Sequence, residues 1–259
     1  MTTTVAIANQ KGGVAKTTTV ASVGAALAES GSRVLLVDLD PQACLTFSLG
    51  IDPEDLELSV HHVLTKGLDS AEVIVETDDG VDLLPATIEL ARAEADLLTR
   101  TGREFVLRSA LDDLAGYDWI LLDCPPSLGV LTVAALTAAD AVIIPLQCET
   151  LSHRGVGQLL DTVHDVRRFT NKGLQVWGVL PTMYDGRTTH ARAVLDDIAQ
   201  TYELDVVQPP IPKTIRFAEA PAVGRSILAT SRRHRGAEAY RGVAGWLTER
   251  AAHVGVGHG

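Results

Sequence analysis

The chain has 259 residues, and 46% of them are apolar, which is enough for a sizeable core in one α/β domain. The net charge of −11 argues against a protein that coats nucleic acid with its whole surface, and no apolar run is long enough to span a membrane. The three cysteines, Cys44, Cys124 and Cys148, are far apart and form no Cys-x-x-Cys pair. Their spacing predicts reduced thiols and excludes a disulfide framework or a cysteine-based metal site.

A glycine-bearing loop joins the first predicted strand, at residues 5–8, to an alanine-rich predicted helix at 20–28. The loop reads Gln10-Lys11-Gly12-Gly13-Val14-Ala15-Lys16-Thr17-Thr18. This is the layout of a P-loop, in which glycine N–H groups converge on phosphate oxygens because no Cβ blocks them. The helix N-terminus adds partial positive charge, and the pattern places Lys16 at the β- and γ-phosphates and the Thr17 hydroxyl on Mg²⁺.

The loop departs from the general P-loop pattern, which has glycine at the positions of Gln10 and Ala15, and it carries an additional lysine, Lys11. The form Lys-Gly-Gly-x-x-Lys-Thr-Thr resembles the deviant Walker A motif of the ParA/MinD family of dimerising ATPases. The resemblance implies that Lys11 crosses a dimer interface to contact nucleotide bound by the other subunit. It leaves the effect of the Ala15 methyl on turnover open. The alternative is a glycine-rich turn with two solvated lysines, which the flanking strand and helix disfavour.

Residues 33–37 form a second apolar run without alternation, which is typical of a buried strand in a parallel sheet. The run leads into Asp38-Leu39-Asp40-Pro41-Gln42. Carboxylates just past the end of such a strand lie on the ligand-binding edge of an open sheet. The segment resembles the first switch of the same family, which implies that Asp40 positions or activates the attacking water and could ligate Mg²⁺ through water. The alternative is a turn aspartate before proline.

The middle of the chain carries a second strand-end carboxylate. Residues 52–80 are acidic, with short helical runs at 59–64 and 70–75, followed by a predicted strand at 81–85 and predicted helices at 89–99 and 103–114. Residues 119–123 then form an apolar strand that ends in Asp123, ahead of Cys124-Pro125-Pro126. This layout of a Walker B motif resembles the family's second switch, which implies that Asp123 holds Mg²⁺ through its water shell.

The last third contains predicted strands at 141–146 and 174–180, a helix at 157–169 and a final helix that ends near residue 253. Two segments resemble the family's adenine pocket, one around Met183 and one around Pro212. An apolar wall with nearby backbone groups suits a purine. Ordinary core and turn is the alternative for both. Residues 212–221 resemble the I-P-R-x-x-x-x-x-E-A-P segment of ParA/Soj-like partition ATPases, although Lys213 stands where the family often has arginine. Residues 231–240 resemble the following segment, which leads into the last helix.

The charge is distributed unevenly along the chain. Residues 1–150 carry 8 Lys/Arg against 23 Asp/Glu, whereas residues 151–259 carry 14 against 10. An acidic protein can therefore still hold a local polyanion-binding face. The resemblance to partition ATPases places DNA contacts at Arg187 and Arg216, with Lys213, Arg192 and Arg225 assisting. Ordinary surface or ion-paired arginines are the alternative, and the next candidates are Arg232, Arg233 and Arg235.

We therefore predict an α/β fold, with one P-loop domain over residues 1–254, a mostly parallel twisted sheet with helices on both faces, and a disordered tail at 255–259. The resemblance implies a cytoplasmic, nucleoid-associated ATPase that uses ATP and Mg²⁺. It implies a homodimer on ATP binding, non-specific binding to double-stranded DNA, and slow hydrolysis stimulated by a ParB-like centromere-binding protein. It also implies that an N-terminal operator-binding domain is missing.

Four other functions stay open to different degrees. A MinD-like regulator on a membrane is disfavoured because the final helix lacks a basic amphipathic face. A positioning ATPase for another cargo, such as a protein cluster, is compatible with every motif. An iron–sulfur carrier of the same superfamily needs paired cysteines that the sequence does not have. A DNA-binding module without enzymatic activity is disfavoured by Asp40 and Asp123.

Overall fold

The structure is a computed structural model that describes residues 2–149 and 152–255. Within these residues one sheet contains the strands β1 (Thr3–Ile7), β2 (Val34–Asp38), β3 (Val75–Glu76), β4 (Asp82–Leu84), β5 (Trp119–Asp123), β6 (Ala141–Gln147) and β7 (Gln175–Thr182). Their order across the sheet is β3-β4-β2-β5-β1-β6-β7. All neighbouring strands are parallel except β3 and β4, which are antiparallel.

The α-helices of the described residues are α1 (Lys16–Glu29), α2 (Cys44–Ser48), α3 (Val60–Lys66), α4 (Leu90–Leu98), α5 (Val106–Asp112), α6 (Val130–Ala138), α7 (Ser152–Phe169), α8 (Thr189–Thr201), α9 (Arg216–Glu219), α10 (Ile227–Thr230) and α11 (Arg235–Gly255). Most of them connect parallel strands, as crossover connections must.

Side chains of the central strand β1 alternate between two cores. Val5 and Ile7 belong to the core beneath α1 and α11, whereas Ala6 belongs to the core beneath α6 and α7. All three side chains are buried, which explains why the strand is apolar throughout rather than alternating. This arrangement confirms the predicted mostly parallel sheet with helices on both faces.

The six predicted strands are confirmed within one or two residues, and the structure adds the edge strand β3. The helical run predicted at 70–75 is wrong, because only Ser70–Glu72 forms a turn of 3-10 helix and Val75 then pairs with Leu83. A two-residue strand offers too few residues for an alternating pattern to show.

Among the described helices, the short helices α2, α9 and α10 and the longer helices α6 and α8 have no counterpart among the predicted elements. Helix α6 is apolar on nearly all sides because it packs beneath other helices, so it lacks the stripe that periodicity detects. Helix α8 does carry such a stripe, since Ala191, Leu195 and Ile198 are buried at spacings of four and three residues.

The final helix α11 packs against α1, with Tyr240, Val243 and Leu247 buried in the shared core, which confirms the predicted core packing. None of the described helices is both long enough and apolar enough to cross a membrane. Helix α11 includes Gly255, and the rest of the predicted tail lies outside the described residues, so the domain boundary at residue 254 stays a prediction.

Candidate active site

The carboxyl ends of three neighbouring strands bring the predicted chemistry to one edge of the sheet. Strands β2, β5 and β1 lie side by side, and Asp123 is in register with both Asp38 and Ile7. The loop that follows Ile7 ends at Lys16, whose charge interacts with those of Asp123 and Asp40. The structure thus brings together Lys16, Asp40 and Asp123, which are far apart in the sequence.

The loop between β1 and α1 has the backbone form of a phosphate cradle. Gly13 and Ala15 both adopt left-handed conformations, with φ of 73° and 67°. Glycine tolerates this region, whereas the Cβ of alanine makes it unfavourable by about 1–2 kcal/mol. The loop is held to the end of β7, because the Val14 carbonyl accepts a hydrogen bond of 3.0 Å from the Thr182 hydroxyl.

Lys16 begins helix α1 and points back into the loop. Its side chain is buried, and its ammonium donates a hydrogen bond of 3.2 Å to the carbonyl of Lys11. Burial lowers the pKa of Lys16, and the negative charge of Asp123 opposes that shift. Thr17 and Thr18 follow at the first turn of the helix and are half-buried. A buried ammonium at a helix N-terminus is suited to an anion.

Asp123 is a fully buried carboxylate, and neither of its oxygens has a hydrogen-bond partner among the described residues. Burial and then the charge of Asp38 hold its pKa well above the usual range, while Thr17 and Lys16 favour the charged form. An unpaired buried carboxylate is costly unless a cation or a proton joins it. No group of three or more His, Cys, Asp or Glu side chains in the described ranges could hold a metal ion. A cation here would therefore need water or ligand oxygens as well, as Mg²⁺ commonly does.

Asp38 has a structural role that the sequence analysis did not assign. One of its oxygens accepts hydrogen bonds from the Thr46 amide, at 2.9 Å, and the Thr46 hydroxyl, at 2.8 Å. Its other oxygen accepts one from the Asp40 amide, at 3.1 Å. Burial still raises the pKa of Asp38 to about 6. These bonds fix the loop after β2 to helix α2. The sequence signal that could have indicated this role is the first aspartate of the Asp38-Leu39-Asp40 motif.

Asp40 lies in the same loop, two residues after the end of β2, and is half-buried. Its carboxylate accepts a hydrogen bond of 2.9 Å from the Gln42 amide, and its carbonyl accepts one of 2.8 Å from the Ala43 amide. The charge of Asp40 interacts with those of Lys16 and Asp123, and its side chain remains partly accessible. Its role toward water stays a prediction.

The two segments predicted to form the adenine pocket are neighbours in space. Tyr184 and Pro212 form an isolated parallel bridge, and the Tyr184 amide donates a hydrogen bond of 2.9 Å to the Ile211 carbonyl. Met183, with φ of 48°, and Pro212 are both half-buried. Because Thr182 is bonded to the P-loop, this pair of segments lies next to it. The contacts to a base stay a prediction.

The basic residues predicted to bind DNA differ in their surroundings. Arg187 and Arg216 are exposed, and each is paired with a nearby carboxylate, Arg187 with Asp185 at 2.8 Å and Arg216 with Glu219 at 2.7 Å. The Arg187 guanidinium holds the pKa of Asp185 at about 2. Lys213 and Arg192 are exposed.

A further cation, Arg235, lies in the same region. It donates a hydrogen bond of 3.2 Å to the Lys213 carbonyl, and its charge also lowers the pKa of Asp185. Arg225 is different, because it is bonded at 2.6 Å to Asp79, whose side chain is 1% exposed. The structure therefore groups Arg187, Lys213 and Arg235 on one surface, and it places Arg225 in a structural ion pair.

Comparisons with known proteins agree with this geometry. A family model described as an AAA domain matches residues 2–176. The sporulation initiation inhibitor protein Soj of Bacillus subtilis is 45% identical over 238 residues, which cover 91% of this chain and 94% of Soj. The chromosome partitioning protein ParA of Caulobacter vibrioides is 41% identical over 239 residues, which cover 91% of this chain and 90% of ParA.

Among solved structures, a protein from Mycobacterium smegmatis named cobyrinic acid a,c-diamide synthase, with bound ATP analogue and magnesium, is 56% identical. It superposes with a TM-score of 0.88 over 97% of this chain and 96% of that one. The fold and the strand-end site define a P-loop ATPase of the ParA/MinD type. The chain belongs to the ParA family of ATPases, with Soj and ParA chromosome partitioning proteins as relatives.

Proposed function

We propose that this ATPase binds ATP with Mg²⁺ and hydrolyses it slowly at the edge formed by β1, β2 and β5. The proposal rests mainly on the charged side chains of Lys16, Asp40 and Asp123, which interact with one another at the P-loop. The glycines of this loop have no side chains that would block its amides. The residues lining the phosphates are Lys11, Gly12, Gly13, Val14, Ala15, Lys16, Thr17 and Thr18. Met183 and Pro212 contact the base. The similar M. smegmatis structure contains an ATP analogue and magnesium, which supports this assignment.

The site fits Mg²⁺ because Asp123 is buried without a hydrogen-bond partner among the described residues and the Thr17 hydroxyl is near it. Thr17 would hold the ion directly, Asp123 through water, and Asp40 through water if it contributes. When bound, the ion neutralises charge on the phosphate oxygens. Lys16 contributes a second positive charge at the same place. Asp40 orients the attacking water, because it is the partly accessible carboxylate of the set.

The ATP-bound form is a homodimer in which Lys11 reaches the nucleotide of the other subunit. That dimer binds double-stranded DNA without sequence preference through Arg187, Arg216 and Lys213. Arg192 assists, and Arg225 assists through the exposed part of the guanidinium that also pairs with Asp79. A two-fold dimer doubles the phosphate contacts, and these local contacts rather than the net charge of −11 per chain provide the affinity. A ParB-like protein stimulates hydrolysis and releases the DNA. The protein is cytoplasmic and associated with the nucleoid, and residues 1–254 form its single domain.

Two substitutions separate binding of ATP from its hydrolysis. Lys16→Ala removes the buried ammonium that faces the phosphates, so we expect nucleotide affinity to fall at least tenfold. Asp40→Ala leaves the cradle intact, so ATP should stay bound and the dimer should accumulate while turnover falls by 100-fold or more, roughly the size of a lost general base. Fluorescent-nucleotide binding and phosphate release measure the two effects. Wild-type turnover in Asp40→Ala would make Asp40 a turn residue only.

A second candidate activity follows from the name of the M. smegmatis structure, a diamide synthase. A cysteine that releases nitrogen from glutamine acts as a thiolate. Here burial raises the pKa of Cys44, of Cys124 and, to about 11, of Cys148, so these thiols stay protonated near neutral pH. These thiols are therefore poorly suited to that step, and the similarity to Soj and ParA supports partition. Incubation with ATP, glutamine and cobyrinic acid should give no amide product, whereas product formation would favour the synthase.

A further inference from the structure

The lysine proposed to reach the other subunit is held within its own chain. The Lys11 ammonium forms an ion pair with the Glu149 carboxylate, although 138 residues separate them. The side chains are 36% and 52% exposed, so the pair lies at the surface beside the P-loop rather than in the core. Lys11 cannot hold this position and cross a dimer interface at the same time.

The backbone beneath this ion pair is fixed on both sides. Asn9 is buried, and its side-chain oxygen accepts a hydrogen bond of 2.9 Å from the Lys11 amide. Its side-chain nitrogen donates one of 2.7 Å to the Pro145 carbonyl in β6. Strand β6 ends two residues before Glu149. Asn9 therefore ties the start of the P-loop to the strand that presents Glu149, and the meeting of the two charges follows from the fold.

We propose that Glu149 is a positioning residue that holds Lys11 in its own subunit and so sets the concentration at which the ATP-bound dimer forms. The inference rests on the proposed dimer. Each Lys11 must leave its Glu149 before it can contact the partner's nucleotide. The Lys11 carbonyl also accepts the hydrogen bond from Lys16, so entry of phosphate disturbs the same residue that must be released.

The size of the effect follows from the exposure of the pair. A partly exposed ion pair changes an equilibrium by about 1.4-fold to fivefold, and salt reduces it. Two such pairs break for every dimer formed, so the factors multiply. Removing the Glu149 charge should therefore raise the dimer association constant by roughly twofold to thirtyfold at low salt.

The experiment is sedimentation equilibrium of the full chain with Mg²⁺ and a non-hydrolysable ATP analogue, at low and high salt. Glu149→Gln should dimerise at lower protein concentration than wild type, with the advantage shrinking as salt rises, and Glu149→Asp should lie between them. Glu72→Gln, at an exposed position on the opposite edge of the sheet, is the control for loss of one negative charge and should behave as wild type. The double variant Lys11→Ala/Glu149→Gln should dimerise no better than Lys11→Ala.

Three results would overturn the proposal while leaving the proposed function intact. The first is a dimer that depends on Lys11 but forms equally or less well in Glu149→Gln. The second is an equal gain of affinity for ADP by the monomer, which would assign the effect to the general field around the phosphates. The third is a gain that persists unchanged at high salt. A wild-type protein that stays monomeric with the analogue, or dimerises without needing Lys11, would contradict the proposed dimer itself.

Discussion

Replacing Ala15 with glycine should stabilise the nucleotide-free protein. Ala15 has φ of 67° and ψ of 32°, and this left-handed conformation costs an L-residue about 1–2 kcal/mol. Glycine removes that cost but adds freedom to the unfolded chain, which offsets about 0.4–1 kcal/mol. The methyl group contributes little packing because Ala15 is only half-buried. We expect a net gain of about 0.5–1 kcal/mol in the free energy of unfolding, measured by urea denaturation, and a Tm higher by about 1–4 °C.

The matched control is the same chemical change where the backbone is helical. Ala193 is exposed in the interior of α8, so Ala193→Gly should lower the free energy of unfolding by about 1 kcal/mol. The two variants should therefore differ in sign. Equal losses in both would show that the P-loop does not hold Ala15 in a strained conformation, and the reasoning would be refuted.

Two further predictions concern charge. Burial raises the folded-state pKa of Asp38 to about 6, above its unfolded value near 4, so the folded protein binds the extra proton and the free energy of unfolding should fall as pH rises from about 4 to 6. Urea denaturation at pH 5 and 7 checks this, and the difference should shrink in Asp38→Asn. Arg225→Ala removes the partner of the buried Asp79 carboxylate and should cost about 1–3 kcal/mol, whereas Lys213→Ala, at an exposed position, should change stability by less than about 0.5 kcal/mol. Equal thermal stability of these two variants would remove the structural role of Arg225.

Sequence patterns predicted the parts of this fold that are local. Strands buried on both faces are continuous apolar runs, and their carboxyl ends mark the active edge, so the pattern alone placed Lys16, Asp40 and Asp123 together. The loop glycines and the second lysine, Lys11, predicted the family, which the relatives confirm.

The contacts that sequence patterns did not predict include one within eight residues, between Asp38 and Thr46, and two between residues distant in the chain. The partner of Asp38 is Thr46, which belongs to no recognisable motif, and Arg225 pairs with Asp79 at a separation of 146 residues. The Lys11–Glu149 pair depends on the adjacency of β1 and β6. Sheet order decides such contacts, and neither periodicity nor composition contains that order.

The central claim is an ATP-dependent dimer that binds DNA without sequence preference. A mobility assay with two unrelated duplexes, at several salt concentrations and with ATP, ADP or no nucleotide, tests it most directly. We expect equal binding of both duplexes with ATP only. In Arg187→Ala/Arg216→Ala, the salt slope should be lower by about 0.9 for each phosphate that the protein no longer neutralises. Absence of DNA binding by the wild-type protein with ATP, or equal binding with ADP, would contradict the account.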